Sequence, residues 1–414
     1  MPTDMLYKEN EMKDTSLGMI PRDWTVATLN SLARLIMGQS PPSSTYNKEG
    51  EGPPFLQGKK EFGDIYPSPV VFCSNPLRIA EQNDILMSVR APVGDVNLAP
   101  YKLCIGRGLA AIRFHRKVAN HVFYFYILQL LKSSIERLGK GSTFKALVRA
   151  DLENLHVVLP PHREQQRIAE ILSRVDEAIQ KTNEIIAATE RLKKGLMQQL
   201  LTKGIGHKEF KDTEIGRIAK DWNVVTIKTL GEVITGTTPS TSEKSYWNGE
   251  VPFVTPTDFS ENKYVDETER KVTRKGAERG RLIPKDSVLV VCIGSTIGKI
   301  ALSFTKCITN QQINAIACRD GVNPHYVYYA LAQRKGILRA QAGITAKPIV
   351  NKSLFEKFAL PLPPSMSEQK KIGSILSKVD RKLELERSEK AKLEKAKQGL
   401  MDLLLTGKIR IKVD

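Results

Sequence analysis

The feature of this 414-residue sequence that most restricts its fold is a duplication. Residues 13–24 recur as residues 211–222, and residues 164–202 recur as residues 368–406 with 17 of 39 positions identical and no gap. The interiors of the two copies match much less well. A repeat of this length predicts two copies of one structural unit. We therefore expect a shared frame around two divergent interiors.

A long helix is predicted at the end of each copy. In the first copy, Pro160 and Pro161 forbid helix before it, and Gly204 follows it as a stop. Apolar residues between these limits recur at steps of three and four, which predicts a helix of roughly 40 residues, about 55–60 Å long. The apolar residues expected to pack are Ile168, Leu172, Val175 and Ile179 in the first helix, and Ile372, Leu376, Val379 and Leu383 in the second.

Each of these helices needs a partner, because a lone helix with one apolar edge is not stable in water. Each could pack on its own globular unit, or the two could pack on each other. The apolar stripe is narrow and the helices are long for a compact unit of this size, which favours mutual packing. Antiparallel packing would relate the two halves by an approximate two-fold axis.

The interior of each copy contains shorter elements. Runs typical of β-strands, bounded by Gly, Pro, Asn or Asp, occupy residues 70–72, 85–89 and 288–293. Residues 117–138 and 322–342 are typical of amphipathic helices rich in aromatic residues and leucine. Their aromatic rows, 123–126 and 326–329, are expected in the core rather than on a binding surface. These patterns predict an α+β fold with an antiparallel or mixed sheet in each unit.

The whole chain is basic, with a formal net charge of +18. Both globular parts share the excess, because residues 1–163 carry a net charge of +5 and residues 205–367 one of +7. A solvated surface is the common explanation for any single basic cluster, but a polyanion that touches both copies accounts for the repetition, and DNA is the obvious candidate. An acidic membrane surface competes, yet no basic amphipathic helix with bulky aromatic residues supports it. The clusters are Arg270, Lys271, Arg274, Lys275, Arg279, Arg281 and Lys285 in the second copy, and Arg107, Arg113, Arg116 and Lys117 in the first.

Several classes of protein are excluded by simpler features. No apolar run approaches the roughly 20 residues that span a bilayer, which argues against a membrane protein. The first residues show neither the basic nor the apolar part of a signal peptide, so we expect a cytoplasmic protein. The five cysteines are widely spaced without a C-x-x-C pair, and we expect them to be reduced and packed.

Sequence motifs for catalysis are absent. The segment 294–299, Gly-Ser-Thr-Ile-Gly-Lys, has three residues between its glycines where a phosphate-binding loop needs four, and Ile300 replaces the hydroxyl residue. We expect it to be a turn that closes a strand pair. The sequence also lacks a dinucleotide-binding glycine motif, an Asp/Asn-Pro-Pro-Tyr/Phe tetrapeptide, a convincing nuclease cluster and a nucleophile elbow. These absences predict a binding protein that holds no metal or cofactor of its own.

Several short motifs resemble one family. They are Ile20-Pro21-Arg22-Asp23-Trp24, Gly141-Ser142-Thr143, Leu159-Pro160-Pro161 with Glu164-Gln165, Gly294 to Lys299, and Thr309-Asn310-Gln311-Gln312-Ile313-Asn314. Together with the long helices, they resemble the specificity subunit of type I restriction–modification systems. The resemblance covers both halves. Ala219 departs from it where a proline is expected, and Gly106-Arg107-Gly108 stands where the second half has Asn310-Gln311-Gln312.

The resemblance implies an architecture and a set of partners. It implies two α/β target-recognition domains that each read one half of a bipartite site on double-stranded DNA, and two helical spacers that pair as an antiparallel coiled coil and set the gap. It also implies two modification subunits that supply S-adenosylmethionine and methyl transfer, and restriction subunits that use ATP and Mg. The predicted boundaries are 1–160 and 205–363 for the domains, and 161–204 and 364–414 for the spacers.

Candidate DNA-binding residues follow from the chemistry of base readout. Arg or Lys pairs with guanine and Asn or Gln with adenine, whereas phosphate contact or plain surface exposure is the alternative for each residue. The candidates are Gln57, Lys59, Lys60, Arg90, Arg107 and Lys145 in the first domain, and Thr257, Asp258, Arg274, Lys275, Lys299, Gln311, Gln312 and Lys347 in the second.

Two other functions stay open on the sequence. One is a stand-alone DNA methyltransferase or nuclease, which the missing motifs disfavour. The other is a coiled-coil scaffold without DNA binding, which the basic charge of both copies disfavours.

Overall fold

The duplication in the sequence is repeated in the order of the secondary structure elements. The computed structural model describes residues 6–138, 146–343 and 348–412. Unit 1 comprises Met1–Lys181 and Lys390–Asp414, and unit 2 comprises Thr182–Glu389. Each unit therefore contains one globular domain, the beginning of the long helix that follows it, and the end of the other long helix.

Short strands and helices lead to a long helix in the first half of the chain. In chain order they are β1 (Leu6–Lys8), β2 (Met12–Thr15), β3 (Gly18–Pro21), β4 (Thr25–Thr28), α1 (Leu29–Leu32), β5 (Ala33–Met37), β6 (Tyr46–Asn47), β7 (Pro54–Leu56), β8 (Val71–Cys73), β9 (Ile79–Ala80), β10 (Ile85–Ser88), β11 (Val96–Leu98), β12 (Leu103–Ile105), β13 (Leu109–Phe114), α2 (His121–Leu130), α3 (Lys132–Leu138), α4 (Arg149–Glu153), β14 (His156–Leu159) and α5 (His162–Leu200).

The second half repeats this order. Its elements are β15 (Phe210–Thr213), β16 (Gly216–Ala219), β17 (Asn223–Thr226), α6 (Ile227–Leu230), β18 (Gly231–Thr235), β19 (Trp247–Val254), β20 (Tyr264–Val265), β21 (Arg270–Val272), α7 (Arg274–Arg279), β22 (Val288–Val291), β23 (Ile300–Ser303), β24 (Ile308–Thr309), β25 (Ile313–Cys318), α8 (Pro324–Gln341), α9 (Lys352–Glu356), β26 (Ala359–Leu362), α10 (Met366–Leu404) and β27 (Ile409–Ile411).

Mixed sheets form the centre of each domain, as expected. The first domain contains a four-stranded sheet of order β11-β10-β13-β5 and a five-stranded sheet of order β6-β8-β7-β12-β9, in which β7 and β12 are parallel. The second contains a five-stranded sheet of order β18-β25-β22-β23-β20 and a three-stranded sheet of order β21-β19-β24. The predicted strands at 70–72, 85–89 and 288–293 correspond to β8, β10 and β22. The 294–299 segment lies between the antiparallel strands β22 and β23.

The apolar interior also agrees with the sequence patterns. The first aromatic row, 123–126, is at most 2% exposed, and the second, 326–329, at most 9%. Both rows belong to the largest core cluster of their domain. All five cysteines are free thiols, four of them buried. The sequence therefore identified the core helices, although the predicted 117–138 helix is divided into α2 and α3 at Leu131.

The two long helices run antiparallel inside each unit. In unit 1, Asp176 of α5 forms an ion pair of 2.7 Å with Lys397 of α10. In unit 2, Lys193 of α5 forms an equivalent pair of 2.6 Å with Asp380 of α10. Each aspartate also accepts a hydrogen bond from a core tyrosine hydroxyl of its own domain. In each unit, this single aspartate therefore links the two long helices to each other and to the domain.

The packing of the apolar stripe corrects one expectation. Ile168 and Leu172 are fully buried in the core of the first domain, and Ile372 and Leu376 are buried in the same way in the second. The opposite helix adds its C-terminal residues to the same clusters, for example Leu404 in unit 1. Mutual packing and packing on the domain are thus not alternatives, because the start of each helix does both. Further along, Leu383 is buried, and Val175, Ile179 and Val379 are half-buried.

A hydrogen-bonded glutamate fixes the start of each long helix, and in unit 1 it is fully buried. Glu164 is 1% exposed and accepts hydrogen bonds from the Trp24 indole Nε1 at 3.1 Å and from Arg410 at 2.6 and 2.8 Å. Arg410 lies in β27, just after α10, and also binds Asp23 and Glu9. Although burial opposes it, these hydrogen bonds raise the pKa of Arg410, and Arg410 lowers the pKa of Asp23. The cation is therefore the centre of a buried network in unit 1.

The second unit contains the same glutamate with different partners. Glu368 accepts from the Trp222 indole at 3.3 Å and from the backbone N of Ile205 at 3.0 Å, and His207 Nε2 lies 2.9 Å from its Oε1. The chain approaches this carboxylate through Gly204, whose φ of +68° and close contact with Glu368 exclude a side chain. Both units thus pair a tryptophan with this glutamate, but an arginine binds the carboxylate in unit 1, whereas His207 lies beside it in unit 2.

A half-buried lysine distinguishes unit 2 from unit 1. Lys263 Nζ donates to Ser377 Oγ of α10 at 2.6 Å and lies 5.0 Å from the centre of the Tyr329 ring. Ile65 occupies the equivalent place in unit 1, because the Ile65 and Lys263 carbonyls each accept a 2.8 Å bond from the matching strand. Burial lowers the pKa of Lys263 to about 8. The position that holds the apolar Ile65 in unit 1 therefore holds a half-buried amine in unit 2.

Replacing Arg410 with methionine is expected to destabilise unit 1 by about 3–5 kcal/mol, because the Glu164 carboxylate would stay buried without its cation. The measurement is urea unfolding of the full chain. R22M is the matched control, since Arg22 forms only an exposed 3.9 Å pair with Glu11 and its loss should cost under about 1 kcal/mol. Equal effects of the two variants would contradict the central role of Arg410.

Lys263 predicts a stability that rises with pH. Its folded pKa is below the unfolded value, so the cost of burying the charge is fully present below pH 8 and is lost as the pH rises toward 10.5. The wild-type unfolding midpoint should therefore rise between pH 8 and 10 relative to that of K263M. The control K271M, at an exposed lysine, should follow the wild type. A pH profile of K263M parallel to that of the wild type would refute this prediction.

Candidate nucleic-acid interface

A tight turn between β12 and β13 presents one side chain of the first domain to solvent. In this turn A, residues 106–108, Arg107 is exposed while Gly106 and Gly108 are buried. A Cβ on either glycine would lie 2.6–2.8 Å from an oxygen of Gln57, so only glycine fits. The Arg107 amide donates to Ser40 Oγ at 3.2 Å, and Gln57 Nε2 donates to the same oxygen at 2.9 Å. Turn A is therefore a braced support for a single arginine.

The corresponding turn B of the second domain, residues 310–312, differs in sequence but also presents one exposed side chain. Asn310 and Gln312 hydrogen-bond each other through both side chains and backbone, at 2.9 and 3.1 Å. Gln312 also donates to the Ile293 carbonyl at 3.3 Å. Gln311 is left as the exposed residue, and its Oε1 accepts from Thr238 Oγ1 at 2.8 Å.

The two turns have the same backbone frame. The first amide of each turn donates to the last residue of a neighbouring strand, Leu56 at 2.7 Å or Val254 at 3.1 Å. The carbonyl of this first turn residue accepts from the backbone amide of the first residue of the following strand, at 3.0 and 3.2 Å. The carbonyl of that strand residue in turn accepts from the amide of a loop glycine, Gly38 or Gly236, at 2.8 and 3.0 Å. The carbonyl of the third turn residue accepts from Val89 or Cys292 at 2.9 and 2.8 Å. Arg107 and Gln311 are thus structurally equivalent.

Five other candidates use their polar groups within the fold. Lys59 pairs with Asp95, whose pKa is lowered against its burial by Lys132 and Lys59. Asp258 accepts the Thr255 and Glu269 amides at 2.7 and 2.9 Å. Lys299 donates to the Phe259 carbonyl at 3.2 Å, Gln312 braces turn B, and the exposed Thr257 hydroxyl lies 2.8 Å from that of Thr255. The partners of Lys59 and Lys299 lie 36 and 40 residues away in the chain, so composition alone could not predict them.

A basic surface surrounds α7 in the second domain. Arg274 and Lys275 are exposed on the helix, together with Arg279. Arg270 stacks on the Trp247 ring at 3.8 Å, and the Trp247 indole donates to the Ser240 carbonyl at 3.0 Å. Sequence reasoning missed this stack, although a tryptophan at the end of a Ser/Thr/Pro loop could have indicated it. The stack fixes the 237–246 loop beside the basic helix.

In the first domain the structure separates the basic cluster. Arg113 is half-buried and forms a bidentate pair with the buried Asp84, at 2.8–3.3 Å, so its guanidinium is held by an acid of the fold. Arg90 and Lys60 are exposed, as are Arg116 and Lys117. Lys145 and Lys347, with the Gly141-Ser142-Thr143 motif, lie outside the described residues.

The described part of the chain contains neither a candidate metal site nor a candidate membrane span. Within residues 6–138, 146–343 and 348–412, no group of three His, Cys, Asp or Glu side chains is placed to hold a metal ion. Over the same ranges, no helix is both long and apolar enough to cross a membrane.

Comparison with known proteins identifies the family. Residues 21–191 and 219–395 match the type I restriction modification DNA specificity domain. The putative type I restriction enzyme MjaX specificity subunit of Methanocaldococcus jannaschii is 49% identical over 202 residues, and this alignment covers 48% of this chain and 48% of that protein. The MjaVIII specificity subunit of the same organism is 29% identical over 98% of this chain and 97% of its own length.

A solved structure has the same fold. The type I restriction–modification system S subunit from M. genitalium superposes with a TM-score of 0.66 at 18% identity, covering 92% of this chain and 96% of that one. The family match covers both repeated copies and most of the chain. This protein therefore belongs to the type I restriction–modification DNA specificity family.

Proposed function

We propose that this protein is the sequence-reading subunit of a type I restriction–modification complex. The domains 1–160 and 205–363 each read one half of a bipartite site on double-stranded DNA, and the helical spacers 161–204 and 364–414 set the gap. The observation that carries the proposal is the pair of equivalent turns, each with a braced backbone and one exposed forked side chain. Such side chains are what base-edge readout in a groove requires.

The charge of the chain supports DNA as the ligand. Both domains share the net charge of +18, with +5 in residues 1–163 and +7 in residues 205–367, and the α7 surface concentrates basic side chains beside an ordered loop. Phosphate contacts would supply most of the affinity and position the domains, whereas the turns would supply sequence preference.

The protein acts without catalysis of its own. Two modification subunits would contribute S-adenosylmethionine and methyl transfer, and restriction subunits would contribute ATP- and Mg-dependent translocation and cleavage. The role of this chain in that complex is to hold the partners at the bipartite site. Because the helices run antiparallel within each unit, both domains can use the same kind of surface for one modification subunit each.

The first test measures binding and reaction separately. The full chain should bind random duplex DNA with an affinity that falls steeply between 50 and 200 mM salt, and should transfer no methyl group until modification subunits are added. Affinity should fall less steeply with salt for the triple variant R274Q/K275Q/R279Q: the slope of log affinity against log salt should become shallower by roughly 0.9 per lost phosphate contact. E278Q on the same helix should not make this slope shallower.

Two results would contradict the proposal in different ways. Methyl transfer by the chain alone would identify a stand-alone methyltransferase. Binding that is undetectable or insensitive to salt, with modification subunits present, would favour a scaffold without a DNA role.

The second test changes the length of the spacer. Glu184 and Ser388 lie midway between the two interhelical ion pairs on α5 and α10, so seven residues inserted after each keep the pairs in register. The insertion lengthens the helices by about 10 Å, which corresponds to about three base pairs of DNA. We expect the unread gap to widen by that amount, with both half-site sequences unchanged, in a methylation map of cells that express the complex.

A matched control for this test replaces the same stretch without changing its length, and the gap should then stay the same. Altered half-site sequences, or an unchanged gap after insertion, would refute the spacer as the ruler.

A further inference from the structure

We propose that turns A and B hold the base-reading side chains of the two domains, so that Arg107 reads a guanine in one half-site and Gln311 reads an adenine in the other. This inference rests on the proposed function and extends it to named bases. Each assignment concerns one position of one half-site.

The two turns occupy equivalent positions in their domains. The matched backbone hydrogen bonds place residues 107 and 311 at the same point between corresponding strands. Glycines on either side in turn A, and mutually bonded side chains in turn B, clear the same space by different means. In each turn one central residue is left exposed. A duplicated frame that varies mainly in the presented side chain is suited to reading different bases.

The chemistry of Arg107 selects guanine. Its guanidinium has five N–H donors and no acceptor, and guanine offers two acceptors, O6 and N7, in the major groove. Within the part of the chain that the structure describes, this guanidinium has no hydrogen bond or ion pair, in contrast to Arg113, which is held by Asp84. The donors of Arg107 are therefore available, and its backbone is fixed by Ser40, which lowers the ordering cost on binding.

The chemistry of Gln311 selects adenine. An amide pairs with adenine by accepting from N6 and donating to N7. The Thr238 hydroxyl donates to Gln311 Oε1 at 2.8 Å, which orients the amide and leaves one lone pair on that oxygen. Both Nε2 hydrogens remain for a base. Thr238 is thus a positioning residue for the Gln311 side chain, whereas its equivalent in the first domain, Ser40, supports Arg107 by accepting from its backbone amide.

The test exchanges the two side chains and reads the recognised sequence. The full chain with its modification subunits is expressed in a host without methylation, and the modified motif is mapped. R107Q should change one guanine of one half-site to adenine, with a shift in preference of roughly 5- to 150-fold, and leave the other half-site intact. Q311R should make the reciprocal change, adenine to guanine, in the other half-site. The half-site that changes identifies the domain that reads it.

R116Q is the matched control, because Arg116 is exposed and lies beyond the far end of β13 from turn A. It removes the same charge and should leave the motif unchanged. A motif unchanged by R107Q, with affinity lowered for all sequences equally, would show a phosphate contact and overturn the inference alone. A wild-type complex that gives no bipartite motif would overturn the proposed function. The thermal midpoint of R107Q should stay close to that of the wild type, since the Arg107 guanidinium is exposed and has no hydrogen bond or ion pair among the described residues.

Discussion

Much of this structure depends on one hydrogen-bonded carboxylate at the start of each long helix, fully buried in unit 1 and half-buried in unit 2. A buried charge is costly unless its hydrogen-bonding capacity is satisfied, and Glu164 meets this condition with donors from two distant segments, Trp24 and Arg410. One donor belongs to the opening of the domain, and the other follows the end of the opposite helix. Satisfying the carboxylate therefore brings the start of one helix to the end of the other, which is the antiparallel arrangement.

The two copies reach this arrangement through different chain connections. In unit 2 the chain is continuous from the end of α5 through Gly204 into the second domain. In unit 1 the two ends of the chain are brought together instead, because β1 pairs with β27. The buried Arg410 bridges Glu9, Asp23 and Glu164 there, so ionic contacts accompany the strand pairing where the other unit has a covalent link. The more demanding electrostatics of unit 1 thus occur where segments far apart in the sequence meet.

The sequence predicted the elements that depend on local pattern. The helix α5 and the aromatic helix α8 follow from the spacing of apolar residues, and the 294–299 turn from its glycines, whose φ values are +97° and +87°. The sequence did not predict that Ile168 would pack in one cluster with both the domain core and residues of the opposite helix. That outcome depends on tertiary placement, which a one-dimensional stripe does not encode.

The candidate site was predicted only where the chemistry is local. Turn A was visible as an arginine between two glycines, and turn B as a polar triplet in the matching place. The roles of Lys59 and Arg113 were not visible, because their partners, Asp95 and Asp84, lie 36 and 29 residues away and are brought close by strand pairing. Counting basic residues therefore overestimates a binding surface whenever the core contains buried acids.

The separation of frame and presented residue has a consequence for how specificity can change. The residues that repeat between the halves, such as Trp24 and Glu164, are buried and mutually dependent, so a single change there destabilises a unit. Residue 107 or 311 can change at little cost to folding, because an exposed side chain on a braced turn contributes few contacts to the native state. A chain built in this way can acquire a new half-site by surface substitution while its core stays intact. The divergent interiors and the constant frame of the duplicated sequence are what such a division between core and surface predicts.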